Sequence, residues 1–276
     1  MKLYLSILFL SSIIASTQTI AISYFDNTSG LEEYNPLSKG LADMLITDLS
    51  NVKSIQIVER EKLESLLSEI KLGGSKFFDP STAQKLGKGL GADIILTGAF
   101  LSIEPNMRID ARLIDVETGK VIKSNKVLGK SSDFFILESQ LVDQLIADLD
   151  IKLSNALPKI KQGINLDAVV NYSKSINLSD KGFDEEARKI LESTVEENPD
   201  FTYASDRFSR IKQRIEKLDI EREEKLKENI RNIIENLDPA SDTFTSEINN
   251  LWTGLMTSQS YSNMLLVNAY LDSLDI

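Results

Sequence analysis

Strand-like and helix-like segments alternate through the first half of the chain. Thr19 to Phe25 is a short β-branched and aromatic run closed by the turn formers Asp26-Asn27-Thr28-Ser29-Gly30, which predicts a strand. Leu37, Leu41, Met44, Leu45 and Leu49 then recur at helical spacing with Asp48 among them, and Pro36 suits the first turn. Ile55 to Val58 predicts a second strand and leads into Leu63, Leu66, Leu67 and Ile70, one face of a helix stopped by Gly73-Gly74. Asp79-Pro80-Ser81-Thr82-Ala83 supplies a cap and an N-terminal proline for a third helix, which ends around Gly87 to Gly91. A meander of three strands follows: Asp93 to Ile103, the most apolar and so the central one, Met107 to Asp115, and Val121 to Leu128 after the turn Val116 to Gly119. Ile136, Leu137, Leu141, Leu145, Leu149 and Leu153 mark a closing amphipathic helix. The order βαβααβββα predicts an α/β (α+β) domain, a mixed sheet flanked by helices.

Pro158 and Gly163 mark a boundary, and everything beyond reads as helix. Gly182, Ala187, Leu191, Thr194 and Pro199 stand at intervals of 5, 4, 3 and 5, the spacing of a tetratricopeptide repeat. Glycine permits the turn between paired helices, the small residues let them approach, and proline ends the second. Asn171 and Lys174 depart from that pattern by occupying positions where the repeat carries large apolar residues. Phe208, Ile211, Ile215 and Leu218 continue one stripe, interrupted by the charged stretch from Asp219 to Lys225 and resumed at Leu226, Ile230, Ile233 and Leu237. The charged interval reads first as a solvated helix face, on a helix that projects into water or turns at its middle. Trp252, Leu255 and Met256, then Met264, Leu265, Val267, Tyr270 and Leu271, predict two last helices that cover the array. The expected organisation is a leader over 1–17, a mixed-sheet domain over 18–158 and an all-α tetratricopeptide-like domain over 159–276.

The leader follows from Lys2, the apolar run Leu3 to Ile14, and the small or polar Ala15, Ser16, Thr17 and Gln18. This charged, apolar and cleavable order is that of a secretory signal peptide, cut near residue 17. Its apolar core falls short of the roughly 20 residues that a membrane-spanning helix needs. Cysteine is absent from all 276 residues, so no lipid-modified cysteine follows the leader. The expected location is therefore periplasmic and not lipid-anchored, with peripheral membrane association still open. With 31 basic against 42 acidic residues the formal charge is −11, which disfavours nucleic acid as a partner.

Histidine is absent as well. Its loss removes the commonest general base and metal ligand, and without cysteine no zinc site of N and S ligands can form. Carboxylate pairs are the main catalytic chemistry left, with Asp26, Asp110, Asp115 and Glu117 as candidates, although most stand in turns where aspartate bonds its own backbone. The run Gly87-Lys88-Gly89-Leu90-Gly91 ends a helix and opens a strand, the reverse of a phosphate-binding glycine loop. The expectation is no enzyme, no catalytic, cofactor-binding or metal residue, and no cofactor.

Several segments in order resemble one family. They are Phe25-Asp26-Asn27-Thr28-Ser29-Gly30, Leu41-Ala42-Asp43-Met44-Leu45, Val58-Glu59-Arg60 with Leu63 and Leu66-Leu67-Ser68-Glu69, Gly87 with Gly91-Ala92-Asp93-Ile94-Ile95-Leu96-Thr97-Gly98, and Arg112-Leu113-Ile114-Asp115-Val116-Glu117-Thr118-Gly119. Over roughly residues 20 to 150 the chain resembles the curli production assembly/transport (CsgG-like) family, related to flagellar-envelope and penicillin-binding-protein activator proteins. The resemblance implies a non-enzymatic envelope assembly or secretion accessory that binds envelope proteins or forms a homo-oligomer. It also implies two alternatives: an oligomeric outer-membrane secretion-channel subunit, or an activator of a peptidoglycan-synthesising enzyme. Against the channel, a bilayer-crossing hairpin needs over 20 residues beyond the soluble fold. Ile103 to Arg108 and Lys130 to Phe134 leave no room for one.

Overall fold

The computed structural model describes residues 17–52, 54–70, 77–149, 163–257 and 261–273. The leader, the Gly73-Gly74 stop, Leu153 and Pro158 lie outside the described residues. The chain divides into two compact units, Met1–Phe208 and Ser209–Ile276.

In the first unit the elements are β1 (Gln18–Asn27), α1 (Leu37–Ser50), β2 (Ile55–Ile57), α2 (Arg60–Ile70), α3 (Pro80–Leu90), β3 (Ile94–Ile103), β4 (Asn106–Asp115), β5 (Val121–Lys130) and α4 (Phe134–Asp148). The helical hairpin α5 (Leu166–Asp180) and α6 (Asp184–Glu197) follows, and then the start of α7 (Thr202–Glu235). The predicted βαβααβββα order is the order found. The strands form one mixed sheet, β2-β1-β3-β4-β5, with β3 at its centre as its apolarity requires. β1 runs parallel to β2 and β3, whereas the meander β3-β4-β5 is antiparallel.

Local chemistry sets the boundaries. The Asp79 side chain accepts the Thr82 amide at 2.9 Å and Pro80 begins α3, so the predicted cap is in place. The same helix ends at Gly91 with φ +66°, where the Ala92 amide reaches back to the Gly87 carbonyl at 3.0 Å. The glycine run is a helix terminus, as its context implied.

Helices α1 and α4 cover one face of the sheet, with Leu41, Leu45, Leu141 and Leu145 fully buried. Gly98 on β3 lies under the Phe25 ring, and a Cβ there would meet that ring and stand 2.7 Å from the Asp110 carbonyl. Helix α3 covers part of the other face, where Gly87 packs on Ile95 and Val116. In α4 the apolar stripe differs from the expected one. Phe134, Phe135, Leu137, Leu141, Val142 and Leu145 are buried, while Ile136 is 40% exposed. The two phenylalanines shift the buried face by pulling the helix start inward.

The hairpin α5–α6 turns at Gly182, whose φ of +82° needs glycine, and Ala187, Leu191 and Thr194 are buried in it. It packs on α1: a Cβ at Gly40 would clash with Ser173 Oγ and lie 2.8 Å from its Cβ. The division between compact units therefore falls at Phe208 and not near Pro158. Helical periodicity announces a new secondary-structure regime, but cohesion follows the buried face, and that face belongs to the sheet unit.

The second unit comprises the rest of α7 with α8 (Phe244–Thr257) and α9 (Tyr261–Ser273). Its core is Ile230, Ile234, Phe244, Ile248, Leu255, Met264 and Val267, with Trp252 packed against it. The two predicted last helices form and pack on the later part of α7, but Ile233, Met256 and Leu265 point outward at 46%, 65% and 68% exposure. The charged stretch Asp219 to Lys225 is uninterrupted helix with exposed side chains, laced by Asp219–Arg222 at 3.2 Å and Glu223–Lys227 at 3.4 Å. It does not turn at its middle.

Candidate functional site

Chemistry-bearing side chains of the first unit gather on α1, which faces the sheet, α2, α5 and the start of α7. Asp43 is 7% exposed in the middle of that helix. Its Oδ1 stands 3.0 Å from Arg60 Nε and 3.5 Å from Arg207 Nη1, and its Oδ2 accepts the Tyr172 hydroxyl. Arg60, at the N-terminus of α2, also donates through Nη1 to both Asp180 oxygens at 2.7 and 2.9 Å. Lys39 donates to Asp180 at 2.8 Å and to Glu64, which also accepts the Tyr24 hydroxyl. Three cations, Lys39, Arg60 and Arg207, thus face three anions, Asp43, Glu64 and Asp180.

The electrostatics follow from this balance. Burial raises the Asp180 carboxyl, but the Lys39 hydrogen bond and the charges of Arg60 and Lys39 outweigh it and hold it below the usual range. Burial works against the Arg60 charge, yet Asp180 and Asp43 more than restore it. Neither group is poised to exchange a proton near neutral pH.

A second cluster lies further along α1. Tyr203 donates to Asp48 Oδ1 at 2.6 Å, and Glu138 of α4, 1% exposed, lies beside Asp48 with no hydrogen-bond partner for its Oε1. Burial first, then the charges of Asp48 and Asp143, push Glu138 well above the ordinary carboxyl range. Asp48 is also raised by burial, against the hydrogen bonds from Tyr203 and Glu138. The folded state therefore binds more protons than the unfolded state between the ordinary and the raised value, and stability falls as pH rises through that window. Glu138→Gln keeps a donor toward Asp48 without an ionisable proton. Thermal unfolding is expected to show the variant at least as stable at pH 8 and less sensitive to pH between 5 and 8.

Around these clusters Phe135, Phe201, Tyr203 and Tyr172 pack with ring centroids 5.2 to 6.5 Å apart, Phe135 and Tyr203 stacked and the other pairs edge-on or tilted. A pocket of about 310 Å³ opens beside Lys39, lined by Tyr24, Asn35, Ser38, Glu64, Phe77 and Asn177 among others. Its ionisable groups are the same Lys39, Tyr24 and Glu64 already bound to one another.

The four carboxylates singled out in the sequence do not come together as a pair. Asp26 accepts the amides of Phe77 and Phe78 at 3.0 and 2.9 Å, anchoring the approach to α3. Asp110 on β4 pairs with Arg108 at 2.6 Å. Asp115 accepts the Thr118 amide at 2.7 Å and holds the β4–β5 turn, in which Glu117 is exposed. The buried cluster was missed in the sequence. Its signal was present: Asp43 stands inside the run Leu41-Ala42-Asp43-Met44-Leu45 and Asp48 inside the apolar stripe of α1, where a carboxylate must find a partner.

These features define a mixed five-stranded α/β domain, closed by a helical hairpin, with its charges neutralised inside. The model of the curli production assembly/transport component CsgG family matches residues 4–108. The CsgG-like resemblance thus holds from the N-terminal part of the chain into β4, while the Arg112 to Gly119 segment lies beyond the match. A curated relative, a putative adenylate cyclase 3 from Rhizobium meliloti, is 26% identical over 136 residues, 49% of this chain. The chain spans only 22% of that relative. Similar solved structures include the LpoB C-terminal domain from Salmonella enterica, 17% identical, covering 41% of this chain and 82% of that one at a TM-score of 0.34. Lipoprotein GNA1162 from Neisseria meningitidis is 19% identical over 46% of this chain and 96% of its own, TM-score 0.37. A PelC dodecamer from Paraburkholderia phytofirmans is 14% identical over 49% and 90%, TM-score 0.33. No helix among the described residues is long and apolar enough to cross a membrane.

Proposed function

We propose that this chain is a non-enzymatic, periplasmic accessory of the cell envelope that works by docking protein partners. The observation that carries the reading is how the polar chemistry is distributed. Inside the first unit, ionisable groups pair with one another to hold helices on the sheet, and the pocket beside Lys39 is lined by groups already engaged. Outside, the far end of the sheet face opposite α4 carries Ile103 and Leu128 at 65% and 66% exposure with no covering element among the described residues. The CsgG family match over residues 4–108 supports an envelope assembly role. The leader, cut near residue 17 with no cysteine behind it, supports a periplasmic protein without a lipid anchor, and the tetratricopeptide-like hairpin offers a second surface through the exposed Phe183.

The test is photocrosslinking in intact cells from positions 128 and 183, with Glu196 on α6 as a control position. One envelope protein captured repeatedly from 128 or 183, and absent from the control, is expected. Repeated failure to capture any protein from either position would sink the reading. Alkaline washing of membranes is expected to release the protein, whereas an integral channel would stay behind. If the captured partner is a peptidoglycan synthase, the purified protein should raise its rate.

A further inference from the structure

The two edges of the sheet differ in kind. β2 offers three residues, while β5 offers ten, Val121 to Lys130, and no described element pairs with its outer side. A long open edge presents unpaired N–H and C=O groups. Its sequence, VIKSNKVLGK, holds three lysines and no acidic residue, with Lys120 just before it, in a chain of net charge −11. Lys126 and Lys130 have no carboxylate within ion-pair distance among the described residues. Lys126 stands opposite Asp110 in the register, but that carboxylate is held by Arg108. Lys123 is 3.4 Å from Asp148 with its side chain 52% exposed. On the open face the lysines alternate with uncovered apolar residues, Ile122 at 46% and Leu128 at 66% exposure.

We propose that the outer edge of β5 takes up an extended acidic segment of a partner protein as a sixth strand. Strand addition draws its affinity from main-chain hydrogen bonds and its specificity from alternate side chains. Edge lysines commonly guard against indiscriminate pairing; here they also select, because neutral and basic strands leave them uncompensated and an acidic strand does not. Carboxylates facing Lys126 and Lys130, with apolar residues facing Ile122 and Leu128, satisfy both surfaces in one register. Two β5 edges meeting each other would bring lysine runs together, and like charges opposed across strands repel. This inference rests on the docking role proposed above. Its failure is separable, since crosslinking could still capture a partner through another surface.

The experiment uses the full mature chain and a labelled, blocked ten-residue peptide whose alternate positions, sharing one strand face, run Val, Thr, Glu, Val, Glu with Thr between them, to match Ile122, Ser124, Lys126, Leu128 and Lys130; the same peptide with Lys for Glu is the control. Fluorescence anisotropy is expected to show saturable binding of the Glu peptide only. Binding should weaken about tenfold or more on raising salt to about 0.5 M, and as much in the Lys126→Glu/Lys130→Glu variant. Leu128→Asp, which leaves both lysines in place, should weaken it as well, while Gln56→Glu on the opposite edge leaves it unchanged. Hydrogen exchange of the β5 amides should slow when the peptide is present. These side chains are exposed, and unchanged thermal unfolding of each variant verifies its fold. Absence of saturable binding, equal binding of the Lys peptide, or unchanged exchange at β5 overturns the proposal. A dimer detected by light scattering and abolished by the lysine variant overturns it in favour of a second copy. Charge-dependent binding to phosphatidylglycerol vesicles without peptide binding overturns it in favour of a membrane surface.

Discussion

Arg60→Met is expected to destabilise the first compact unit by about 3–5 kcal/mol, the cost of removing one member of a buried ion cluster. Arg60 is 5% exposed and is the cation shared by Asp43 and Asp180. Without it, Asp43 keeps the Tyr172 hydroxyl and the more distant Arg207, while Asp180 keeps Lys39. The methionine chain fills much of the space left by the arginine stem, so the loss reads charge more than volume. Urea unfolding followed by circular dichroism checks the size. A cycle with Asp180→Asn should give a coupling energy of about 1–3 kcal/mol. The pH dependence has a definite sign. Because Asp180 is held below the ordinary carboxyl range, its contribution is present above that range and is lost as pH falls through the lowered value. The Arg60 variant should lose this acid sensitivity in part.

Gly98→Val is expected to be the most damaging substitution in the sheet. Gly98 lies on the central strand, and its neighbours on that side are the Phe25 ring, fully buried, and the Asp110 carbonyl on β4. A ring can swing, but a paired backbone carbonyl has nowhere to go without breaking the β3–β4 ladder. Overpacking in a closed core costs about 1–3 kcal/mol when side chains can adjust, and more when backbone must move. Loss of cooperative unfolding, or accumulation of the protein as insoluble material, is the expected result. Gly98→Ala should lie between this variant and the native chain in thermal midpoint.

The sheet was readable because each strand carried a local signature. Ile109, Ala111 and Leu113 alternate on β4, the Asp79-Pro80 pair announces α3, and the turn before Gly119 separates β4 from β5. What escaped was long-range. Nothing near Asp43 in the sequence points to Asp180 or Tyr172, more than a hundred residues away, and nothing in Ser173 foretells that its partner is Gly40. Helical stripes were likewise blurred where two apolar positions adjoin. Ile234 is buried and Ile233 is not, and the same holds for Leu255 against Met256. Periodicity alone cannot choose between neighbours that lie about 100° apart around a helix. Asp26, Asp115 and Glu117 were found at turns and strand ends and Asp110 in the middle of β4, while the buried cluster was found where tertiary packing put it.

The docking of α5 on α1 bears on how the molecule can be taken apart. A fragment stopping at residue 149 would keep all five strands and yet strip Asp43 of Tyr172 and Arg207, Arg60 of Asp180, and Phe135 of the Phe201 and Tyr203 rings. Such a piece would carry a carboxylate left with Arg60 alone and a bare aromatic surface, and would be sticky in solution. Cutting after Phe208 preserves every one of those contacts. The seam visible in the sequence is therefore the wrong place for scissors.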